Sequence, residues 1–445
     1  MAISFVRTAG IVSASAGLLA ACSMDTASEP ATSAVESAIA LGGHLPGISD
    51  ADFNAARDNF NLVETIDDGV GPVFNEVACG RCHTNGTTGG AGEQIERRFG
   101  RVTNGIFNDL TNEGGSLRQL QTLGSFANNG QTCNVPLERE PADANVRNVG
   151  RLTTPLFGLG LVDAMPDSFF TQLANAEPAN VRGIVKTAAV LLPNPADPSQ
   201  NIGTVRVARF GWKADISNLP TFAADAYKNE MGITTQHCFA GRSITAFATE
   251  SAPNGVAMPV GCDDRAPAAP AGVPAGTDDA IGVCASGQTE LQADVANFIA
   301  FMTFLAPPER DLSDAVAINA GSVVFNQVGC NGCHVTTTFR TPNPAPNGVP
   351  GGFAFNPFSD FLAHDMGTLG DGIGNSGDTV AVTRRMRTAP LWGIRFRNHL
   401  LHDGRTSDIG VAISAHDGQG RTAAQAFNQL NATDKHNLVQ FVRSL

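Results

Sequence analysis

A single Tyr and two Trp stand among 445 residues, and Lys and Arg together number 29 against 42 Asp and Glu. With so few large polar aromatics, little else in the chain can substitute for Tyr227, Trp212 and Trp392. The shortage of positive charge, a formal minus 13 at pH 7, argues against neutralising a nucleic-acid backbone or clinging to anionic lipid through basic side chains. Charged residues make up only 16% of the chain against 42% hydrophobic, which argues against disorder as well. What is plentiful is Gly (48) and Pro (25), the composition of a loop-rich protein whose length suggests about two or three domains.

Residues 1 to 22 read as an export signal. Arg7 supplies a weak positive start, and Ala9 to Ala21 forms an apolar and small-residue run of 13, shorter than the ~20 that span a bilayer as a helix. The run closes on Leu19-Ala20-Ala21-Cys22, which resembles a bacterial lipobox and implies Cys22 as a lipidated first residue of the mature chain. Loss of residues 1 to 21 leaves 28 basic and 42 acidic side chains. Residues 23 to 43, rich in Ser, Ala, Thr and Glu, read as a flexible tether. The expected location is the periplasm, with the protein held to the outer membrane by lipid only.

An internal repeat carries the chemistry. VFNEVACGRCH (73 to 83) and VFNQVGCNGCH (324 to 334) match at 7 of 11 positions, and each contains CxxCH. Two Cys three positions apart reach the two vinyl groups of one haem as thioethers, and the adjacent His presents its imidazole to the iron. Cys79, Cys82 and His83 therefore read as one haem attachment, and Cys330, Cys333 and His334 as a second. Zinc or a redox dithiol is the competing reading of such spacing, weakened by the His in both copies and by the export signal. Of the nine Cys, Cys133, Cys238, Cys262 and Cys284 remain, an even number suited to disulfides. Cys262 and Cys284 flank a Pro/Ala/Gly-rich stretch that a staple would suit, and the other pairings stay open.

A short helix is expected ahead of each motif, with Phe74 and Phe325 five residues before the first Cys, and an amphipathic helix should close each half. TELQADVANFIAFMTFLAPP places Leu291, Val295, Phe298, Met302 and Leu305 at helical spacing before Pro307. ATDKHNLVQFVRSL does the same with Leu438, Phe441, Val442 and Leu445. Residues 188 to 203 and 337 to 358 read as Pro/Gly/Asn-rich loops, and strand signals are few. The expected class is mainly α: two cytochrome c-like domains, 44–306 and 307–445, each with one covalently bound haem and long irregular loops.

What fills the second axial position decides between electron transfer and chemistry on a small molecule. No His stands in the 153 residues between His83 and His237, so an open site at the first haem is expected, the alternative being that His44, His237 or Met165 folds back onto it. The second half offers His364, His399, His402, His416, His436, Met366 and Met386.

RFGWKADISNLPTFAADAYKNEMGITT (209 to 235), PFSDFLAHDMG (357 to 367), RTAPLWG (387 to 393) and LHDGR (401 to 405), with the two CxxCH motifs, resemble the bacterial di-haem cytochrome c peroxidases and their MauG-like relatives, specifically the di-haem oxidoreductase branch. The resemblance implies that Trp212 relays electrons between the haems, that Glu230 is the proton-handling carboxylate at the first haem, and that His416, 14 residues after His402, is the second ligand at the other. A family Gln on the Glu230 helix is replaced by Phe222, and the Asn that helps hold a calcium ion in the wider family is Thr153 here, which leaves calcium open. The implied activity is reduction of hydrogen peroxide at the first haem with electrons from a small redox protein or a quinol-linked donor. A non-enzymatic di-haem electron carrier and an oxygenase related to rubber oxygenase are the alternatives. Arg97, Arg98, Arg209, Lys213 and Arg405 are candidates to offset haem propionates, and a packing role is expected for Tyr227.

Overall fold

The computed structural model describes residues 39–128, 130–197, 199–262 and 273–445; the leader and residues 23 to 38 of the tether lie outside the described residues. Residues 39–445 cluster as one compact unit.

Two helix pairs organise it. Asp50–Phe60, capped by the Ser49 side chain, packs on Ala293–Phe304, with Phe60 and Phe301 ring centroids 4.7 Å apart. Ala315–Gln327, capped by Asp314, packs on Ala432–Arg443, with Phe325 and Phe441 5.1 Å apart. Both expected closing helices are present, since their apolar stripes recur at helical spacing and the second carries its own Asn431 cap. His436 on the last helix is exposed.

The expectation of a mainly α protein is not met. Helix accounts for 30% of the described residues and strand for 17%, spread over many small sheets. The longest strand, Ile95–Thr103, pairs antiparallel with Ile106–Asn108, Leu117–Arg118 and Val146–Leu152. Its sequence, IERRFGRVT, hides the alternation because Arg97 and Arg98 follow one another. The other strands are two to four residues long in the sheets they form, too short for a periodic signal. Even the two expected loops are tied at their bases, by Thr187–Ala189 with Val205–Val207 and by Phe339–Arg340 with Ala354–Phe355.

The helix expected ahead of Cys79 is also replaced: Val73–Phe74 is a strand paired with Gln121–Thr122, following Gly69, Gly71 and Pro72, which do not favour a helix. The disulfides join Cys133 to Cys262 and Cys238 to Cys284, so the staple between Cys262 and Cys284 does not form.

One large core contains the first helix pair, Tyr227 and Leu219, and also takes in Phe339, Phe355, Phe361 and Trp392. A smaller core gathers Phe325, Ile394, Leu438, Phe441 and Leu445 around the second helix pair.

Candidate haem-binding and acid-base site

The second CxxCH opens onto a cavity of about 380 Å³. Cys330, Cys333 and His334 line it on one side and His416 on another. His334 Nδ1 donates to the Phe358 carbonyl at 2.8 Å, and His416 Nδ1 donates to the Ala412 carbonyl at 2.9 Å. A carbonyl can only accept, so both rings carry their proton on Nδ1 and leave Nε2 free for a metal. Burial lowers both ring pKa values, His334 to about 4, where the field of His416 adds to the effect, so both imidazoles are neutral at pH 7. Two neutral imidazoles around one cavity that also holds both Cys of a CxxCH fit a haem with two axial His.

The rival ligands in this half are engaged elsewhere or lie in the same cavity wall. Met386 Sδ lies 3.6 Å from Lys213 Nζ, whereas His399 lines the same cavity wall and, donating from Nδ1 to the Gly404 carbonyl at 3.1 Å, keeps its Nε2 free as His416 does. His364 Nε2 bonds Asp360 Oδ2 at 2.9 Å and its Nδ1 lies 3.5 Å from Cys333 Sγ. Cys333, Asp360 and His364 thus converge closely enough for a metal ion, but a Cys333 sulfur committed to a porphyrin cannot also serve there as a thiolate.

At the first motif His83 Nδ1 donates to the Gly90 carbonyl at 3.2 Å, again freeing Nε2, and burial lowers the ring pKa to about 4. Of the residues expected to compete for the opposite face, His44 has both nitrogens bound, to Asp50 and to the Leu45 carbonyl. His237 is likewise committed, to Thr235 Oγ1 and the Gln292 amide. Met165 is buried in the large core, where its carbonyl accepts from Arg209 Nη1.

Glu230 reaches this motif because of how its helix ends. Leu219–Met231 starts on the Asn218 side chain and stops at Gly232, whose φ of 84° and whose close approach to the Gly71 carbonyl both require glycine. The amides of Asn75 and Glu76 then bond the Glu230 carbonyl at 2.7 and 3.1 Å, docking the chain that leads into Cys79 onto the helix end. Met231 Sδ lies 3.9 Å from Cys79 Sγ. Asn75 Nδ2 donates to Glu230 Oε2 at 2.7 Å, with Asn75 itself held by the Leu120 amide and Gln121 Nε2. Burial raises the Glu230 carboxyl to about 7 and Glu96 adds to the rise, while the Asn75 hydrogen bond and Arg98 act against it. Arg98 is itself hydrogen-bonded to Glu96.

Asn75, which sequence reasoning missed, therefore tunes the carboxyl. Asn75→Ala is expected to raise the Glu230 pKa by about one pH unit, from the loss of one hydrogen bond to a charged group. A pH titration of the carboxyl stretch by infrared spectroscopy checks this, and a midpoint still near 7 would refute it.

Trp212 lines the second cavity, packs edge-on to His402 at 6.2 Å and donates from Nε1 to the Leu152 carbonyl at 2.7 Å. The next residues run along the first motif. A Cβ added at Gly92 would stand 3.3 Å from Thr153 Cβ and only 1.6 Å from the Cys82 carbonyl. One strand end thus joins Trp212 to the first attachment loop.

Phe222, standing where the family has Gln, stacks on Phe210 with centroids 6.1 Å apart. Tyr227 is buried with its ring edge-on to Phe298 at 5.1 Å. Thr153 Oγ1 donates to the Gln94 carbonyl. Among the expected propionate partners, Arg98, Arg209, Lys213 and Arg405 are each paired with a carboxylate, Glu96, Asp167, Asp371 and Asp403 respectively, and Arg97 bonds only the Asn148 carbonyl.

Two motifs with free Nε2 atoms, one of them facing a second imidazole around a common cavity, define a protein built to hold two haems. The chain belongs to the family described as "Di-haem oxidoreductase, putative peroxidase", whose model matches residues 125–445 and so includes Trp212, Glu230, the second CxxCH and His416. The search of curated proteins returned no match. Among solved structures, a chain of hydrazine synthase from Kuenenia stuttgartiensis, determined under 20 bar of xenon, is similar at 19% identity over 35% of this chain and 57% of its own length, with a TM-score of 0.25. The likeness spans little more than half of that chain, and at that score it carries no argument.

Proposed function

We propose that this di-haem oxidoreductase reduces hydrogen peroxide at the first motif and draws the electrons through the second. The observation that carries the reading is the half-buried carboxyl of Glu230, hydrogen-bonded to Asn75 and raised to about 7 beside an attachment motif whose His has a free Nε2. Covalently held haem, when bound to each CxxCH, supplies the cleavage of the O–O bond and the storage of oxidising equivalents.

The chain's own residues do the rest. His83 would hold the first haem through its Nε2, its ring fixed by the Gly90 carbonyl. Glu230 takes a proton from the nearer peroxide oxygen and returns it to the departing one, and Asn75 keeps the carboxyl aimed and partly ionised at neutral pH. Trp212, anchored on Leu152, lies on the path between the motifs, and His334 and His416 hold the second haem. Two electrons and two protons convert one peroxide to two waters. The electrons come from a small redox protein or a quinol-linked donor outside the chain, consistent with an exported, lipid-anchored protein of the periplasm. No step in this scheme needs calcium.

The test uses the purified full chain with both haems loaded. A high-spin haem signal in the oxidised or half-reduced protein, with peroxide-dependent oxidation of a reduced artificial donor, is the expected result. Two low-spin haems in every redox state and no peroxide consumption would leave a plain electron carrier. Turnover of a hydrophobic substrate with dioxygen and no peroxide would point to an oxygenase.

A further inference from the structure

The cavity that holds His334 and His416 also contains two guanidinium groups to which the described chain gives no carboxylate. Arg387 ends the strand Arg385–Arg387 and Arg397 follows the turn Ile394–Phe396, and both line the cavity. Arg387 donates from Nε to the Gly211 carbonyl at 2.7 Å and from Nη1 to the Thr388 carbonyl at 3.1 Å, with Phe361 under its guanidinium. Arg397 donates from Nη2 to the Pro390 carbonyl at 2.6 Å, and its Nε is buried with no partner. All these acceptors are neutral carbonyls. Buried Arg209 and Lys213 and half-buried Arg98 are treated differently, each meeting a carboxylate directly.

Arg387 is buried and Arg397 half-buried, and two positive charges that share one cavity are unfavourable unless negative charge is brought to them. Burial lowers the pKa of both to about 10; at Arg387 the charge of Arg397 lowers it further while Asp360 acts in the opposite direction. The free N–H groups of a guanidinium suit a planar carboxylate. A haem carries two carboxylates of its own, its propionates, on one edge of the ring. We infer that Arg387 and Arg397 are the site that binds the two propionates of the second haem, and that by neutralising them they hold its reduction potential above the value its two imidazoles alone would set. The inference rests on the reading that a haem occupies this cavity.

The experiment measures haem content and the midpoint potential of each haem, by spectroelectrochemical titration from neutral to alkaline pH, in the full-length protein and in Arg397→Gln, Arg387→Gln and Arg397→Lys. Each Gln variant is expected to move the second haem to a more negative potential and to make that potential fall with rising pH, because an uncompensated propionate then titrates in the accessible range. The first haem should stay in place with its potential unchanged. Arg397→Lys, which keeps the charge, should shift less in the same direction, and it decides the matter if a Gln variant does not fold or load. Variants carrying both haems with the wild-type potential at every pH overturn the inference. A wild-type protein with no haem at Cys330 and Cys333 would overturn the haem reading itself, an outcome separate from unchanged potentials.

Discussion

Glu230→Gln is expected to slow peroxide reduction by about 10²- to 10⁴-fold, the usual contribution of a positioned acid-base group, with both haems still attached. Gln is close to Glu in size and keeps an oxygen for the Asn75 donor, so the docking of the attachment chain on the helix end is preserved. What is lost is the ability to take and return a proton. The pH profile separates this from a packing defect. Because the carboxyl is raised to about 7, kcat/KM of the native protein should rise with pH through that region as the base form appears. The Gln variant should lose this limb. Turnover at the native rate, or a limb that survives the substitution, removes Glu230 from the mechanism. The same shift bears on folding: the half-buried carboxyl favours the folded state most below its ordinary value of 4.5, and that contribution is lost as pH rises through about 7.

His416→Met is the second large effect. Thioether ligation raises haem potentials relative to imidazole, and axial ligands span roughly 0.8 V, so the second haem should move positive by a sizeable part of that range. Its low-spin spectrum should change from that of two imidazoles to that of imidazole and thioether. His399, His402 and Met366 share the cavity wall, so an unchanged spectrum and potential would hand the ligand role to one of them. The substitution should leave haem loading at Cys79 and Cys82 as it is.

Much of this site is legible in the sequence because its chemistry is local. CxxCH is a five-residue device, and the closing helices Ala293–Phe304 and Ala432–Arg443 announce themselves by spacing. His416 and Glu230 are legible only through the resemblance, since a lone His or a helix carboxylate is by default a surface group. The fold class was misread because strands such as Val73–Phe74 and Phe339–Arg340 exist only through partners 14 or more residues away. Asn75, Arg387 and Arg397 were missed for a related reason. Nothing in RTAPLWG says that its Arg meets only carbonyls, and nothing in VFNEV says that its Asn meets a carboxyl from the other end of a helix 155 positions on.

The bridge between Cys133 and Cys262 encloses a span of 129 residues that contains both Trp212 and Glu230, whereas His334 and His416 lie outside it. Closing so long a span restricts the unfolded chain more than a short one would. The bond therefore ties down the stretch that carries Trp212 and Glu230 and leaves His334 and His416 to the packing of their own stretch. A thiol-rich surrounding would therefore loosen the stretch around Glu230 more than the one around His416.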